Sequence, residues 1–356
     1  MELSIILPIY NRNEMITYLL DSLAFISNYE IIFILNGIYD TKTLTLINSY
    51  HRKHKYVKVI KIPNTESYAK VNNIAVQQCS GEYILLLNSD VIISVKTIQE
   101  LLQEIKSNKR IGAIQPLLIY PQNYLIQSAG HIFCEYNNYH AFNGGKQNSL
   151  YSMNIQRQAL TTACCCIRKE IYQMLNGMDE FYHNAFEGME LTLRITQEGF
   201  ICYCKPDLIA FHYQGISRKE FLSYEKTDIG RFWANHGTNI KDDFYDVVKE
   251  QLSKLKLNKL NNIINCSNLR NIDKFSEECF GYKIPTINIH DRLYNKIIIS
   301  NNIPSCVLRK TYPYLWLTTN KSQIIENKKT FEAYSRFNDI IIDLSGNLTI
   351  VRNILK

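Results

Sequence analysis

Short apolar runs alternate with helix-like segments along the first third of the chain. The runs LSIILPIY, EIIFILNG and EYILLLNSD end in polar or turn residues. Each is followed by a segment whose apolar positions recur at helical spacing, namely Asn11–Phe25, Thr41–Tyr50 and Ser94–Lys106. Because runs that are apolar on both faces are typical of strands buried between helical layers, the alternation predicts an α/β fold with a mostly parallel central sheet between helices. Ligands of such sheets bind at the carboxyl ends of the strands, so the residues after each run are the first candidates for a site.

The rest of the chain is patterned less clearly. A polar stretch at Asn137–Asn154 predicts a long loop, of a length that is more often functional than merely connective. Tyr245–Asn262 carries leucines at roughly helical spacing with lysines between them. We favour a solvated surface helix there, with a basic amphipathic helix on an anionic membrane as the alternative. From Gly281 onward, strand-like runs flank an aromatic stretch and predict a small separate module or an extension of the core.

Composition and charge narrow the class of protein. The 356 residues include 46% hydrophobic and 21% charged residues, which supplies a core and excludes disorder as the main state. The net charge is +7, but the basic residues are dispersed apart from HRKHK and the lysines of residues 249–259. No recognition motif accompanies them, so we do not expect nucleic-acid binding. A basic surface fits an enzyme that meets anionic lipid or a lipid-linked diphosphate acceptor.

The cysteines and the apolar runs indicate the cellular compartment in which we expect the protein. Three of the ten cysteines, Cys164, Cys165 and Cys166, are consecutive, which favours reduced thiols packed as small apolar groups over a disulfide framework. The start MELSIILPIYNR lacks the basic region of a secretory signal, and no apolar run reaches the ~18 residues of a spanning helix. We expect a cytoplasmic protein with at most peripheral contact with the inner face of the membrane, and leave a homo-oligomeric state open.

Three groups of residues could carry chemistry. Asn88 and Asp90 follow the run YILLL, where a carboxylate beside an amide suits Mg²⁺ or Mn²⁺ shared with a diphosphate. Glu187 and Glu190 lie at the start of a predicted helix, although acidic residues also suit the helix dipole there, and Glu190 could form a plain i, i+4 pair with an arginine. His212 follows a strand-like run and could complete a metal shell with Asp90, or be structural.

Taken in order, these pieces resemble the family 2 glycosyltransferases, in the style of rhamnosyltransferase-like bacterial members. The resemblance rests on SIILPIYNR, PNTESYAKVNNIAV, GEYILLLNSD, IGAIQPLLIY, LIQSAG, TTACCCIRKEIYQMLNGMDEFYHNAFEGMEL and FHYQGIS. It covers Leu3 to Arg218, and the ordered set is far more specific than any one piece. It implies a GT-A fold over residues 1–218, followed by a helical segment (219–270) and a small α/β module of unknown role (271–356).

The resemblance also implies a reaction and a site. The reaction is inverting transfer of a sugar from a nucleotide-diphosphate donor to a hydroxyl of a saccharide or lipid-linked acceptor, by analogy in bacterial surface polysaccharide synthesis. A divalent cation would neutralise the leaving diphosphate, with Asp90 and His212 as its protein ligands. Residues assigned to the nucleotide and the donor sugar are Pro8, Tyr10, Asn11, Asn36, Asn72, Asn73 and Asn88.

Two departures from the family pattern affect the assignment. Where the family usually has Glu-Asp, this chain has Glu187 and Gly188, so the usual catalytic base is missing. We expect Glu187 to serve as the base, with Glu190 as second choice. At the end of the second strand the family's Asp is Leu35, which leaves recognition of the base to backbone groups, to Asp40, or to another nucleobase.

Two other functions compete. A catalytically degenerate scaffold that binds a nucleotide sugar is motivated by Gly188 and Leu35, although the intact Asp90 and His212 argue against it. A nucleotidyltransferase would normally have a glycine-rich, basic loop after the first strand, where this chain reads PIYNRNE. No Gly-x-x-x-x-Gly-Lys loop is present, which excludes a P-loop kinase.

Overall fold

The computed structural model describes most of the first 241 residues and short pieces beyond them. The described residues are 1–10, 15–26, 28–37, 40–134, 137–143, 155–183, 185–213, 225–241, 243, 246, 263–265, 273–274, 276–277, 281, 283, 297–300, 314–318 and 340–343. The chain folds into two compact units, one of residues 1–131 and 150–240 and the other of residues 132–149 and 241–356.

The described elements alternate between strand and helix up to residue 107. The strands are β1 (Leu3–Tyr10), β2 (Glu30–Asn36), β3 (Val57–Ile62), β4 (Tyr83–Leu87), β5 (Val91–Ile93), β6 (Ile111–Ile119), β7 (Ile126–Ser128), β8 (His131–Cys134), β9 (Asn137–His140), β10 (Ile155–Arg157), β11 (Cys164–Arg168), β12 (Ile201–His212), β13 (Ile263–Asn265), β14 (Ile297–Ser300), β15 (Tyr314–Thr318) and β16 (Ile340–Asp343). The helices are α1 (Ile16–Ser22), α2 (Thr41–Lys53), α3 (Tyr68–Gln78), α4 (Val95–Ser107), α5 (Lys169–Met174), α6 (Glu187–Gln197) and α7 (Glu225–His236).

The first unit is built on one large mixed sheet. Among the described residues its strand order is β10-β12-β6-β11-β4-β1-β2-β3, with β5 paired to β12 and β7 to β6. Strands β3, β2, β1 and β4 are parallel, as are β6 and β12, while β11 and β10 run against their neighbours. The predicted α/β class is therefore confirmed, and the three apolar runs that predicted it are β1, β2 and β4.

Apolar side chains cover both faces of this sheet. Alternation along β1 places Ile5 in the cluster on one face and Ile6 in the cluster on the other. The cysteine run of β11 divides in the same way, with Cys164 and Cys166 in the first cluster and Cys165 in the second. Six cysteines are free and buried, which agrees with the prediction of packed thiols: Cys79, Cys164, Cys165, Cys166, Cys202 and Cys204.

Polar caps fix where helices begin at the carboxyl edge of the sheet. Asp40 caps α2, and Ser94 caps α4. Ser67 caps α3 by accepting a hydrogen bond from the backbone N–H of Lys70 at 3.2 Å. Each such cap stabilises its helix by about 1 kcal/mol. The Ser67 cap makes Tyr68 the first residue of α3, at the edge where the strands end.

The second unit contains a parallel sheet of its own. Among its described residues β13, β14, β15 and β16 pair in that order, all parallel. Strand β13 belongs to this sheet, and the second unit comprises residues 132–149 and 241–356. The predicted loop at 137–154 begins as a strand, β9, which pairs with β8, and its residues 144–154 lie outside the described residues.

The predicted surface helix at 245–262 also lies almost wholly outside the described residues. Within the described part of the chain, no helix combines the length and the apolar character needed to cross a bilayer.

Candidate functional site

Polar side chains gather at the carboxyl edge of the parallel strands of the first unit. Asn88 and Asp90 follow β4, and His212 is the last residue of β12. The short strand β5 joins the two segments, because its first residue, Val91, pairs with His212 in antiparallel register. The backbone N–H of Tyr213 also donates to the carbonyl of Asp90 at 3.0 Å. Sheet pairing thus fixes the backbone on both sides of the Asp90–His212 contact.

Asp90 and His212 form a buried pair. Asp90 Oδ1 lies 3.3 Å from His212 Nε2, and each residue is 9% exposed. The other ring nitrogen, Nδ1, lies 2.6 Å from Oε1 of Gln127 on β7, and the Gln127 amide donates from Nε2 to the His212 carbonyl at 3.2 Å. Since an amide oxygen can only accept, Nδ1 must carry a proton. In the neutral ring the lone pair is therefore on Nε2, beside Asp90.

This arrangement suits one divalent cation. A carboxylate and an imidazole lone pair face each other, and a second contact fixes the tautomer, as is usual for a metal-binding histidine. A separation of 3.3 Å lies near that of two neighbouring ligands around an octahedral ion with bonds of about 2.1 Å. Within the described residues no three or more His, Cys, Asp and Glu side chains form a group that could hold a metal ion by themselves. The remaining coordination positions would fall to water and a bound diphosphate.

Asn88 is held by the backbone and by the phenol of Tyr68. Its N–H donates to the carbonyl of Ala163 at 2.8 Å, which ties the end of β4 to the start of β11. Its side-chain Oδ1 accepts from the hydroxyl of Tyr68 at 2.9 Å. The same hydroxyl lies 3.3 Å from the carbonyl of Thr162. The two N–H groups of the Asn88 amide remain as the donors that this side chain can offer to a ligand.

The two candidate bases lie in the first turn of α6 and differ in their surroundings. Glu187 is the first residue of the helix and is buried, and the helix dipole stabilises a carboxylate there. The Arg194 guanidinium donates to both carboxylate oxygens of Glu190, at 2.6 and 2.8 Å. His236 Nε2 lies 3.2 Å from Glu190 Oε1. Burial alone would raise the pKa of Glu190, but hydrogen bonds from His236 and Arg194 outweigh it and hold the pKa below its usual value. The contacts of Glu190 therefore favour its ionised form.

Gly188 lies between these two residues, directly against Thr162. A Cβ atom at position 188 would fall 1.9 Å from Thr162 Oγ1 and 2.8 Å from Thr162 Cβ. Such contacts do not occur between real atoms, so the space that a side chain at 188 would need is filled by Thr162. The departure from the family pattern at Gly188 is therefore matched by the residue that faces it.

We expect Gly188→Ala to destabilise the protein by about 1–3 kcal/mol, because the added methyl overpacks this contact. In a Thr162→Gly background the same change is expected to be neutral or stabilising, since alanine is preferred over glycine in a helix by up to about 1 kcal/mol. Gly230→Ala in α7, where a Cβ meets nothing within 4 Å, is the matched control and should not destabilise. Urea unfolding of the four variants measures these differences. Equal costs of Gly188→Ala in both backgrounds would contradict a direct clash.

Most of the asparagines assigned to the donor are engaged within the protein. Both polar atoms of the Asn36 side chain bind the backbone of Glu66, at 2.8 and 2.9 Å. Asn72 is fully buried and donates to the carbonyl of Tyr68 at 2.8 Å. Asn73 donates to Met178 O and Glu180 Oε1 and accepts from Tyr172 and Met178. These contacts position the loop after β3 and the segment before α6. Asn88 differs from these three, because its side chain binds Tyr68 through the oxygen and keeps its amide N–H groups for a ligand.

The remaining assigned residues lie at or near the ends of β1 and β2. Pro8 and Tyr10 are half-buried at the carboxyl end of β1, and Asn11 lies outside the described residues. Leu35 is fully buried in the core, while Asp40 uses both carboxylate oxygens to cap α2. Neither side chain is therefore directed to a nucleobase by the contacts in this structure.

Several residues of the site were not singled out in the sequence. Gln127, Tyr68 and Thr162 lie within the segments LIQSAG, PNTESYAKVNNIAV and TTACCCIRKE, but no spacing rule marks them. His236 lies 46 positions after Glu190, which it contacts, and no local pattern links the two. Segment order indicated the neighbourhood, whereas the individual contacts depend on strand pairing and helix packing.

The fold has relatives among solved structures. GalNAc-T7, solved with UDP, GalNAc and Mn²⁺, superposes with a TM-score of 0.56 at 17% identity, covering 80% of this chain and 55% of that one. The first unit of this chain therefore has the GT-A glycosyltransferase fold, as the resemblance implied.

Sequence comparison finds relatives of this chain. Residues 4–173, just under half of the chain, match the model of Glycosyl transferase family 2. Relatives include the O-antigen biosynthesis protein RfbC of Myxococcus xanthus, 25% identical over 231 residues (61% of this chain, 18% of RfbC). Chondroitin synthase of Escherichia coli is 23% identical over 263 residues (72% of this chain, 33% of the synthase). The chain thus spans a third or less of the length of these relatives.

Proposed function

We propose that the chain is an inverting glycosyltransferase that moves a sugar from a nucleotide-diphosphate donor to a hydroxyl of a saccharide or lipid-linked acceptor. The observation that carries the proposal is the Asp90–His212 pair, in which Gln127 fixes the tautomer of the histidine, at the strand end that also carries Asn88. The names of the relatives support bacterial surface polysaccharide synthesis as the setting. The charge of +7 is compatible with work at an anionic inner membrane surface.

Each residue has a role in this reaction. Asp90 and His212 would hold Mn²⁺ or Mg²⁺, which supplies neutralisation of the charge that develops on the leaving diphosphate. Asn88 donates hydrogen bonds to the donor from its amide N–H groups. Glu187 accepts the proton of the acceptor hydroxyl as the new bond to the anomeric carbon forms and the bond from that carbon to the diphosphate oxygen breaks. Attack from the face opposite the leaving group inverts the anomeric centre.

Nucleotide binding tests the proposal and does not require the identity of the donor sugar. UDP, dTDP, GDP and CDP are each added to the full chain with Mn²⁺, with Mg²⁺ and with EDTA, and the melting temperature is measured. A ligand at 100 times its Kd stabilises the folded protein by about 2.7 kcal/mol, which raises the melting temperature by several degrees. We expect one of the four nucleotides to produce this shift, and only when a divalent cation is present. If no nucleotide shifts the melting temperature in any metal condition, the donor site does not exist.

Gly188 is the observation that favours a second candidate, a degenerate scaffold that binds a nucleotide sugar without turning it over. The two candidates predict the same binding and differ in turnover. Release of the nucleoside diphosphate from the sugar nucleotide that binds best separates them, because a scaffold releases none. Release of pyrophosphate from a nucleoside triphosphate and a sugar phosphate would instead indicate a nucleotidyltransferase.

A further inference from the structure

The partly buried phenol of Tyr68 binds one side chain of the candidate site. Tyr68, the first residue of α3, donates from its hydroxyl to Asn88 Oδ1 at 2.9 Å and lies 3.3 Å from the carbonyl of Thr162. Burial raises the pKa of Tyr68 well above its ordinary value, and the negative charge of nearby Glu187 raises it further.

The contacts of Asn88 leave its amide as the adjustable group. Its backbone N–H is fixed on Ala163 O at 2.8 Å, and its carbonyl accepts from Val91 N at 3.1 Å. With the main chain held on both sides, the orientation of the side chain depends on what binds Oδ1, and that group is Tyr68. An amide whose oxygen is bound in this way presents its two N–H groups away from the phenol.

We propose that Tyr68 is a positioning residue that locks the Asn88 amide with its N–H donors toward the donor sugar-diphosphate. The inference rests on the proposed function. Tyr68 touches neither donor nor acceptor and acts through Asn88. It is distinguished from an ordinary core-packed tyrosine by the group that its hydroxyl binds.

The chain offers a matched control for this distinction. Tyr50 is a second core-packed tyrosine whose hydroxyl donates a hydrogen bond, to the carbonyl of Leu23 at 2.8 Å. That bond joins α2 to the end of α1 and touches none of the site residues. Tyr50→Phe and Tyr68→Phe therefore remove the same atom from two rings that pack against the core, and only the second change reaches Asn88.

The experiment compares Tyr68→Phe, Tyr50→Phe, Asn88→Ala and the double variant Tyr68→Phe/Asn88→Ala in the full chain. For each we measure the melting temperature, the Kd of the best nucleoside diphosphate with Mn²⁺, and KM and kcat for its sugar nucleotide. We expect Tyr68→Phe to lower kcat/KM about tenfold, the effect of one lost orienting hydrogen bond, and Tyr50→Phe to leave it unchanged. In the Asn88→Ala background, Tyr68→Phe should have no further effect on kcat/KM.

The outcomes separate this inference from the proposed function. If the wild type binds no nucleotide and releases no diphosphate, the proposed function fails and the inference fails with it. If the wild type is active and Tyr68→Phe behaves as Tyr50→Phe, Tyr68 has no positioning role while the function stands. A loss from Tyr68→Phe that persists undiminished in the Asn88→Ala background, or that appears only as a lower melting temperature, also overturns the inference, because it assigns Tyr68 a purely structural role.

Discussion

Asp90→Ala is expected to reduce release of the nucleoside diphosphate about 10³-fold and to remove the dependence of nucleotide binding on Mn²⁺. The carboxylate is one of the two protein groups that would hold the cation, and neutralising a developing diphosphate charge stabilises the transition state by several kcal/mol. Turnover measured against Mn²⁺ concentration, together with melting-temperature shifts, checks both effects. The same treatment of the wild type with EDTA should reproduce the loss reversibly.

Asp207→Asn is the control for this variant. Asp207 lies on β12, the strand that ends in His212, but it is exposed and pairs loosely with Lys205 at 3.5 Å. Its loss should change neither turnover nor the response to metal. Retention of full, Mn²⁺-dependent activity by Asp90→Ala would show that the cation is held elsewhere or is not needed.

We expect Glu187→Gln to lose mainly catalytic rate and Glu190→Gln to lose mainly folding stability. Loss of a general base lowers kcat by roughly 10²–10⁴-fold, while loss of the favourable helix-dipole interaction at Glu187 changes stability by about 1 kcal/mol at most. Removing the Glu190 charge leaves Arg194 and His236 without their buried anion, which costs about 3 kcal/mol of folding free energy. Kinetics on the folded fraction and urea unfolding of both variants separate the two roles. A stable Glu190→Gln variant without activity would instead make Glu190 the base.

The pH dependence of the Glu190 contribution has a definite sign. Its pKa is lowered in the folded protein, so its stabilisation is complete above the ordinary carboxyl pKa and is lost as pH falls through the lowered value. The Glu190→Gln variant has no such charge to lose. We therefore expect the difference in unfolding free energy between wild type and variant to be constant near neutral pH and to narrow in acid.

The fold class could be predicted from the sequence because the strands of the parallel half are marked by local apolar runs. Each buried strand of the parallel half is an apolar run, and burial on both faces produces such runs whatever the rest of the chain does. The reversed direction of β11 was not accessible, since CCCIR has the same apolar character in either direction. Its pairing with β4 and β6 depends on contacts between segments far apart in the chain.

The site could be predicted only in part, because many of its contacts join segments that are far apart in the chain. Asp90 and His212 stand at strand ends, where the pattern places candidate ligands, and the structure brings them to 3.3 Å. The i, i+4 pair of Glu190 with Arg194, which helical spacing allows, is present. Nothing in the residues around Asn73 indicated that its amide would be used by a segment 105 positions away. Amide side chains are equally suited to ligands and to backbone, so their partners decide their role.

The cysteines packed into both faces of the sheet give the protein an internal reporter of its own opening. Burial raises the pKa of the Cys166 and Cys202 thiols to about 12, so neither thiolate nor access is available in the native state. An alkylating reagent reaches these sulfurs only when the strands separate. The rate at which Cys164, Cys165 and Cys166 become labelled therefore measures how often β11 leaves the centre of the sheet, without any introduced probe.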